Sequence, residues 1–442
     1  MVALGAAETV TDVSVIVPVY NKGPYLPELI DSLQQQTHDS FDVWLIDDGS
    51  TDGSELLCDR IAASDVRFHV IHQENSGWPG RPRNVGIQAS SGRYLFFADA
   101  DDWCEPTLLA DLVAYADEHT SDVVLPAVLA EGHAWTSREP VLENTVDVDP
   151  REAFLSLTPH KLFRRTYFEG LGLRFTEDKV PLEDGRLVAK AYVGGGRISR
   201  CGQRLGYHYM GRDGTNISYA PRDPAAHLGS LISICESARQ VPEHADEIIV
   251  DMYRRKLLRY LGPNFLPRLP DDLADGYVRA SAEFARRYIP AELESALSPW
   301  TRLASRTARF NSPDLSKALV LARVEESVPA ERKDGHWFVG PVNADDVVTV
   351  RAKVKSVPGG PVRALAKPAW IRPASPRLEL RTADGEIDLD ASLSPAVPPE
   401  GPGLVFACWN DLSVPVSYAG DEVIADGLRY WSDDGQLAVS GA

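Results

Sequence analysis

The stretch "YLFFADADDWCEP", Tyr94 to Pro106, runs from an apolar strand directly into three carboxylates and stops at a proline. Like charges repel, so a fold is not stabilised by packing Asp99, Asp101 and Asp102 together unless a cation lies among them. Mg²⁺ and Mn²⁺ prefer hard oxygen ligands and share their coordination shell with substrate phosphates. Asp99 and Asp101 therefore predict a divalent metal site, whereas Asp102 is expected to cap the helix that begins near Pro106.

An isolated Asp-X-Asp match is more often a solvated turn than a metal site, so other features of the chain have to support it. At about 100 to 200 residues per domain, a chain of 442 residues is expected to hold two to four domains. The net charge of -19 argues against general binding to nucleic acid or anionic lipid, because affinity for phosphate comes from clustered Lys and Arg.

The sequence also indicates where the protein works. No apolar run approaches the roughly 20 residues needed to span a bilayer. The start, "MVALGAAETVTDVSVIVPVY", is typical of a first strand rather than a signal peptide. The five cysteines have no paired spacing, which favours a reducing compartment and argues against a zinc site. The cytoplasm is the expected location, with peripheral attachment to the inner face of the membrane left open.

From Val13 to about Trp103, short apolar strands alternate with amphipathic helices, which predicts a mostly parallel α/β sheet with helices on both faces. Three of the strands end in polar residues: "PVYN" from Pro18, "DDGSTD" from Asp47, and "ADADD". Ligands of such sheets bind outside the carboxyl ends of the strands, where the strand order reverses. The three strand ends are therefore expected to form one polar crevice.

Composition divides the chain into three predicted domains. Residues 1–220 hold the α/β pattern, and residues 221–323 have helical periodicity, as in "VDMYRRKLLRYLG". Residues 324–442 alternate in the manner of strands and are broken by Pro and Gly, which predicts an antiparallel β-sandwich.

Two more motifs accompany the aspartates. Asp47 stands at a strand end, where its side chain can accept a hydrogen bond from a base or a ribose, although a turn with helix capping explains the motif equally well. The loop "NSGWPGRPRNVGI" offers Asn75, Arg83 and Asn84 to a base edge and a phosphate, and an ordinary capped loop is again the alternative.

Together, the segments "VSVIVPVYNKGPYLPELIDSLQQQT", "WLIDDGSTDGS", "NSGWPGRPRNVGIQASSGRYLFFADADDW" and "LEDGRLVAKAY" resemble the family 2 inverting glycosyltransferases of the GT-A fold. The resemblance covers about the first half of the chain, with four motifs in the family's order. It implies a nucleotide-diphosphate sugar donor, usually UDP-linked, and a Mn²⁺ or Mg²⁺ ion on the Asp-X-Asp carboxylates.

The resemblance also implies roles for single residues. Asp99 and Asp101 would hold ribose and metal, and the pair Glu183 and Asp184 falls where the family places its catalytic base, with Asp184 as the base itself. A placed carboxylate that removes a proton typically contributes about 10² to 10⁴ in rate. The residues that would line the nucleotide are Pro18, Tyr20, Asp47, Asn75 and Arg83.

The segment "RLGYHYMGRDGTNIS" places Arg204, His208 and Arg212 where related enzymes close a flexible loop over the diphosphate, and His208 is a candidate metal ligand there. For His208 alone, a packed or surface histidine is the commoner interpretation. Many relatives carry "QxxRW" in this region, a mark of processive membrane synthases, and this chain has none. A non-processive enzyme that is soluble or peripheral to the membrane is therefore expected.

The overall plan resembles the wall teichoic acid glycosyltransferases that add GlcNAc to poly(ribitol phosphate), whose C-terminal region forms the oligomer. Such a polymer needs a basic track, and the candidates are Lys161, Arg164 and Arg165 together with residues 254–256, unless these are solvated helix faces. One alternative is a capsular, exopolysaccharide or natural-product enzyme with a neutral acceptor. Another is a catalytically silent carbohydrate-binding or assembly protein that stacks sugars on Trp370, Trp409 and Trp431, although core packing is the commoner role of such residues.

Overall fold

The computed structural model describes residues 11–131, 139–212, 222–262, 264–294 and 296–309, together with short strands between 330 and 441. The chain divides into two compact units. The first comprises the residues up to Pro221 and Ser233–Ile248, and the second comprises Arg222–Ile232 and the residues from Ile249 onward. None of the helices within these ranges is long and apolar enough to cross a membrane.

The first unit is built on one eight-stranded mixed sheet, in the order β3-β2-β1-β4-β7-β6-β8-β5. Its strands are β1 Val13–Val19, β2 Phe41–Asp47, β3 Phe68–His72, β4 Tyr94–Phe97, β5 Trp103–Cys104, β6 Val123–Glu131, β7 Leu162–Arg164 and β8 Ile198–Met210. Its helices are α1 Leu26–Gln34, α2 Ser54–Ser64, α3 Gly80–Ala89, α4 Leu108–Glu118, α5 Pro150–Ala153, α6 Arg165–Gly170 and α7 Glu183–Val193.

The first four strands run parallel, as the alternating pattern predicts. The sheet order reverses at β1, which lies between β2 and β4. All but one residue of β1 is buried, because its two faces pack against different helices. On one face, Val15 and Val17 belong to a core with Leu29 and Leu112. On the other, α3 approaches so closely that a Cβ on Gly86 would lie 2.6 Å from Ile16 Cγ2.

Two strands depart from the parallel pattern. The strand β7 runs antiparallel to both of its neighbours, β4 and β6, and β5 runs antiparallel to β8. Phe96 pairs with Leu162, so the residues that precede β7 lie beside those that follow β4. An antiparallel strand therefore starts at the edge where the parallel strands end, and this edge is the one at which ligands of such folds bind.

Residues 222–309 are helical in their described part, as the periodicity predicts. The helices are α8 Pro224–Ala238, α9 Ala245–Lys256, α10 Asp271–Tyr288, α11 Ala291–Glu294 and α12 Pro299–Arg309. Inside the second unit, Tyr253 stacks on Phe284 with ring centroids 5.1 Å apart, and Tyr260 stacks on Tyr277 at 4.0 Å.

Ten further strands follow: β9 Ala330–Lys333, β10 His336–Val339, β11 Val342–Asn343, β12 Val362–Ala364, β13 Glu379–Thr382, β14 Gly385–Asp388, β15 Ser417–Ala419, β16 Glu422–Ala425, β17 Leu428–Asp433 and β18 Gln436–Gly441. They form antiparallel sheets of three and seven strands. The packing of these sheets as a sandwich stays a prediction. Trp370 and Trp409 lie outside the described residues, as does the side chain of Trp431.

Candidate active site

The aspartate turn after β4 is held by a tyrosine from β8. Tyr207 donates its hydroxyl hydrogen to Asp102 Oδ2 at 2.6 Å, and its oxygen accepts a hydrogen bond from the Asp99 backbone N–H at 3.0 Å. Asp102 Oδ1 accepts a second bond, from the Met210 N–H at 2.8 Å. Burial, followed by the charges of Asp99 and Asp101, raises the pKa of Asp102. This carboxylate therefore fixes the turn.

The expectation that Asp102 caps a helix is wrong. The next helix, α4, begins at Leu108, and Thr107 occupies its cap position without a side-chain hydrogen bond. Asp102 itself is fully buried, and its two oxygens bond to β8. Contacts more than a hundred residues along the chain have replaced the local capping interaction.

Arg83 reaches the site from α3, which is tied to the segment before α7. A Cβ on Gly80 would lie 1.9 Å from the carbonyl oxygen of Thr176, so only glycine allows this approach. The buried side chain of Asn84 bonds both backbone groups of Phe175, accepting from its N–H at 3.0 Å and donating to its carbonyl at 2.9 Å. Asn84 is thus a structural residue of α3 and not the ligand contact that its loop motif suggested.

One guanidinium joins the two sets of predicted carboxylates. Arg83 Nη2 lies 2.8 Å from Asp99 Oδ1, and Nη1 lies 2.5 Å from Asp184 Oδ1. Glu183 is 3.9 Å from the same Nη1. The Arg83 side chain is only 3% exposed, whereas those of Asp99 and Asp184 are 28% and 25% exposed. The arginine is therefore the buried support, and the two aspartates retain access to solvent.

The two bridged aspartates differ in their proton affinity. Burial opposes ionisation of Asp99, but the charges of His160 and Arg83 outweigh it and hold the pKa of Asp99 well below its ordinary value. For Asp184, burial dominates over the opposing charge of Arg83 and raises the pKa. Asp99 is thus suited to remain a charged ligand, and Asp184 is suited to take up a proton.

Two residues that precede β7 enter the site and were not predicted as part of it. His160 is buried, stacks on the ring of Tyr207 at 4.4 Å, and lies with Nε2 3.2 Å from Asp99 Oδ2. Lys161 is also buried, and its ammonium donates to the carbonyl oxygen of Thr158. Burial lowers the pKa of Lys161 to about 7, although the nearby charge of Asp184 acts in the opposite direction. The only signal in the sequence is that "HK" directly precedes an apolar "LF".

The geometry includes a group that could hold a metal ion. One donor atom each from Asp99, Asp102 and His160 lies within 4.8 Å of the others. Oxygen and nitrogen donors of this kind suit Mn²⁺. His160 Nδ1 is buried without a hydrogen-bond partner, while both oxygens of Asp102 are already bonded to the protein. The donor set therefore fits a divalent ion, with Asp99 as its most accessible carboxylate.

Asp101, the other predicted metal ligand, lies outside this group and is paired with a lysine. Asp101 Oδ2 is 2.5 Å from the ammonium of Lys22, on the loop after β1. Arg212 donates from Nε to the Asp101 backbone carbonyl at 3.0 Å and also pairs with Glu28. Of the three residues predicted to form a phosphate clamp, Arg212 thus lies beside the aspartate turn.

The other two clamp residues lie on β8 and not on a loop. His208 is buried and stacks on Trp103, with ring centroids 3.5 Å apart. Its Nδ1 lies 2.8 Å from a carboxylate oxygen of Glu131, and its Nε2 lies 3.0 Å from one of Glu105. Arg204 is exposed and lines a surface groove beside α4. Their roles toward a ligand stay predictions.

The predicted nucleotide residues lie at the ends of β1, β2 and β3. Tyr20 is 47% exposed, and the buried Asp47 accepts from the Ser50 N–H at 3.0 Å. Asp47 Oδ2 also lies 2.9 Å from His72 Nδ1, and hydrogen bonds to Asp47 and then Asp59 raise the pKa of His72.

Asn75, also predicted to line the nucleotide, follows β3 and lies against the loop after β2. A Cβ on Gly49, which has a φ of +74°, would lie 2.9 Å from the Asn75 backbone nitrogen. Only glycine fits both the conformation and the contact at this position. Pro18 pairs with Ile46 within the sheet, so the predicted nucleotide residues share one edge with the aspartate turn.

The basic cluster around β7 is not a solvated helix face. Lys161 is buried, and Arg165 donates to the carbonyl oxygens of Gly92 and Ile87. Arg254 and Arg255 both pair with Asp251. Lys161 and Arg165, on either side of β7, therefore make contacts inside the first unit, which contradicts their predicted role in a polymer track. Arg254 is 46% exposed on α9, and the part of the track formed by residues 254–256 stays a prediction.

Comparisons with known proteins agree with this fold. Residues 14–179 match the family model "Glycosyl transferase family 2", and residues 221–320 match "Glycosyl transferase TarS linker domain". The chain therefore contains a family 2 glycosyltransferase domain followed by a TarS linker domain. The enzyme class predicted from the motifs, a glycosyltransferase, is confirmed.

Among the similar proteins is the poly(ribitol-phosphate) beta-N-acetylglucosaminyltransferase TarS of Staphylococcus aureus, which is 30% identical over 250 residues, 55% of this chain and 44% of the relative. A poly(ribitol-phosphate) beta-glucosyltransferase of Bacillus spizizenii is 28% identical over 232 residues, 51% of this chain and 37% of that protein. The chain thus aligns with less than half the length of either relative.

A crystal structure of S. aureus TarS 1-349 in complex with UDP-GlcNAc has the same fold, with a TM-score of 0.63 at 24% identity over 74% of this chain and 96% of that one.

Proposed function

We propose that this chain moves a sugar from a UDP-linked donor, with UDP-GlcNAc as the first candidate, to a hydroxyl of a cell-surface polymer of the poly(ribitol phosphate) type. The observation that carries the proposal is the buried guanidinium of Arg83, which holds Asp99 and Asp184 on one support. The TarS relative and the neighbour bound to UDP-GlcNAc support the donor, and the linker match supports the acceptor.

The two aspartates divide the chemistry between them. Displacing a nucleoside diphosphate with inversion requires a base on the acceptor side and charge compensation on the other. Asp184, whose pKa is raised, accepts the proton of the attacking hydroxyl. Glu183 lies near the same guanidinium and orients Asp184 or bonds the sugar.

The proposed metal, Mn²⁺ or Mg²⁺, would be held by Asp99 and Asp101. When bound, such an ion neutralises charge that develops on the leaving diphosphate. His160 is better placed than His208 as a nitrogen ligand, because Glu105 and Glu131 already engage both ring nitrogens of His208. Arg212, beside Asp101, is assigned to the diphosphate.

Residues 324–442 are assigned to subunit assembly or polymer binding, and the site of action to the cytoplasmic side of the membrane. These roles follow the overall plan of the TarS-like enzymes. The donor choice between GlcNAc and glucose is made by contacts to one substituent of the sugar, and the two curated relatives differ in this respect.

The test uses the full chain with Mn²⁺, poly(ribitol phosphate) and either UDP-GlcNAc or UDP-glucose. Asp184→Asn is expected to lose about 10² to 10⁴ in transfer rate, the usual contribution of a placed base, and to bind UDP as the parent does. Asp147→Asn is the control, because Asp147 also pairs with an arginine but is 66% exposed at the surface. Transfer by Asp184→Asn at the parent rate would exclude Asp184 as the base. A folded parent without turnover on any donor would favour the binding-protein alternative.

A further inference from the structure

The loop after β1 directs a lysine into the proposed metal site. Lys22 Nζ is 2.5 Å from Asp101 Oδ2, and the side chains of the pair are 20% and 9% exposed. Fully exposed pairs contribute little to stability. This pair is largely shielded at the carboxylate, so water and salt weaken it less than a surface pair.

The fold sets the direction of this lysine. The loop is fastened to residues 50–54, at the start of α2, by three backbone donors: the Asn21 N–H to Ser50 Oγ at 3.1 Å, the Lys22 N–H to Ser54 Oγ at 3.0 Å, and the Gly23 N–H to Asp52 Oδ2 at 3.0 Å. These three bonds hold the backbone of Lys22 in place beside the aspartate turn.

A second cation is close but does not take the same carboxylate. Arg212 bonds the backbone carbonyl of Asp101, and its guanidinium carbon lies 5.1 Å from the ring centroid of Tyr25. The ammonium of Lys22 lies 5.9 Å from the same ring centroid. Within the part of the chain that the structure describes, Lys22 supplies the positive charge that pairs with the Asp101 carboxylate.

We propose that Lys22 is the internal counter-ion of Asp101 and competes with the divalent cation for that carboxylate. The inference rests on the proposed metal role of Asp101. An ammonium bonded to Asp101 and a divalent ion on the same carboxylate repel each other, so the lysine has to leave when the metal arrives. Its flexible four-carbon side chain allows this movement. The free enzyme therefore binds metal weakly, and the ion is retained best with a diphosphate that supplies further oxygen ligands.

The experiment titrates Mn²⁺ alone into the full chain and measures free Mn²⁺ by electron paramagnetic resonance. Lys22→Met is expected to bind Mn²⁺ about tenfold more tightly than the parent, equivalent to ~1.4 kcal/mol. Damage to the structure would weaken binding, so a gain in affinity is diagnostic. Lys22→Arg keeps a counter-ion and should resemble the parent. Lys190→Met removes the same charge from an exposed position on α7 and should leave the affinity unchanged.

Asp101→Asn separates this inference from the proposed function. The expected result is weaker Mn²⁺ binding in Asp101→Asn and no further effect of Lys22→Met in that background. Unchanged or weaker binding in Lys22→Met, with Asp101→Asn still impaired, would overturn the counter-ion role and leave the metal site standing. If neither variant alters Mn²⁺ binding, Asp101 is not a metal ligand and both ideas fail. Lys22→Gln replaces Lys22→Met if the latter does not give a cooperative thermal unfolding transition.

Discussion

Replacing Arg83 by lysine tests whether one guanidinium supports both candidate carboxylates, Asp99 and Asp184. A lysine keeps the positive charge, but its single ammonium cannot present two donors in the fork geometry of arginine. In the parent, Arg83 bonds Asp99 at 2.8 Å and Asp184 at 2.5 Å. We therefore expect Arg83→Lys to keep one of the two bonds and to release the other aspartate.

The size of the effect follows from the type of bond and its exposure. A hydrogen bond to a charged group contributes about 1.5 to 3 kcal/mol. The Asp99 and Asp184 side chains are 28% and 25% exposed, so water compensates part of the loss. We expect the lower end, about 1.5 kcal/mol, for the free energy of unfolding. A similar loss in the transition state lowers kcat/KM by about tenfold.

The assay combines urea unfolding with transfer kinetics on the same preparations. Arg93→Lys is the matched control, because Arg93 also bonds two aspartates, Asp12 through Nε and Asp117 through both terminal nitrogens, but its side chain and that of Asp117 are about 40% exposed. A pair of that exposure contributes about 0.2 to 1 kcal/mol. Equal losses of stability in the two variants, or parent-like kcat/KM in Arg83→Lys, would refute the reasoning.

Two further changes concern stability and assembly. In the folded state the pKa of Lys161 is about 7, against 10.5 for an ordinary lysine. Between these pH values the unfolded chain therefore holds more protons than the folded chain. For this reason the free energy of unfolding of the parent rises with pH. Lys161→Met should lose this rise, about 1 kcal/mol between pH 7 and pH 8, and equal pH slopes in urea unfolding would contradict the assignment. Deleting residues 324–442 is expected to lower the number of subunits per particle or the affinity for polymer more than the hydrolysis of UDP-sugar. An unchanged subunit number by light scattering, together with unchanged polymer binding, would reject this role.

The sequence predicts the elements whose signals are local. The strands β1 to β4 and the helices between them have clear periodicity, and they form as expected because each buries its own apolar face. The strand β7 has only three residues between charged neighbours, and β8 mixes Arg, Gly and Gln with apolar residues. Both are strands because they pair with β6, and a single segment does not reveal such pairing.

The candidate site likewise combines residues that local motifs predict with contacts that only the folded sheet creates. Asp99, Arg83 and Asp184 were predicted from motifs, but their joint hydrogen bonding was not, because Arg83 and Asp184 are 101 positions apart. The Arg83 motif suggested a phosphate contact, and the structure instead shows its guanidinium between carboxylates. The sequence does not predict His160 as a site residue, because His160 reaches the site only through the antiparallel direction of β7. That direction depends on strand pairing in the whole sheet.

The hydroxyl of Tyr207 sets a lower limit on any shortened version of this enzyme. The family match ends at residue 179, which suggests a natural place to cut. A fragment cut there would lack Asp184, and it would also lack the tyrosine hydroxyl and the Met210 amide that hold the aspartate turn. We therefore expect the smallest working domain to continue through the end of β8, thirty-one positions beyond the recognisable family segment.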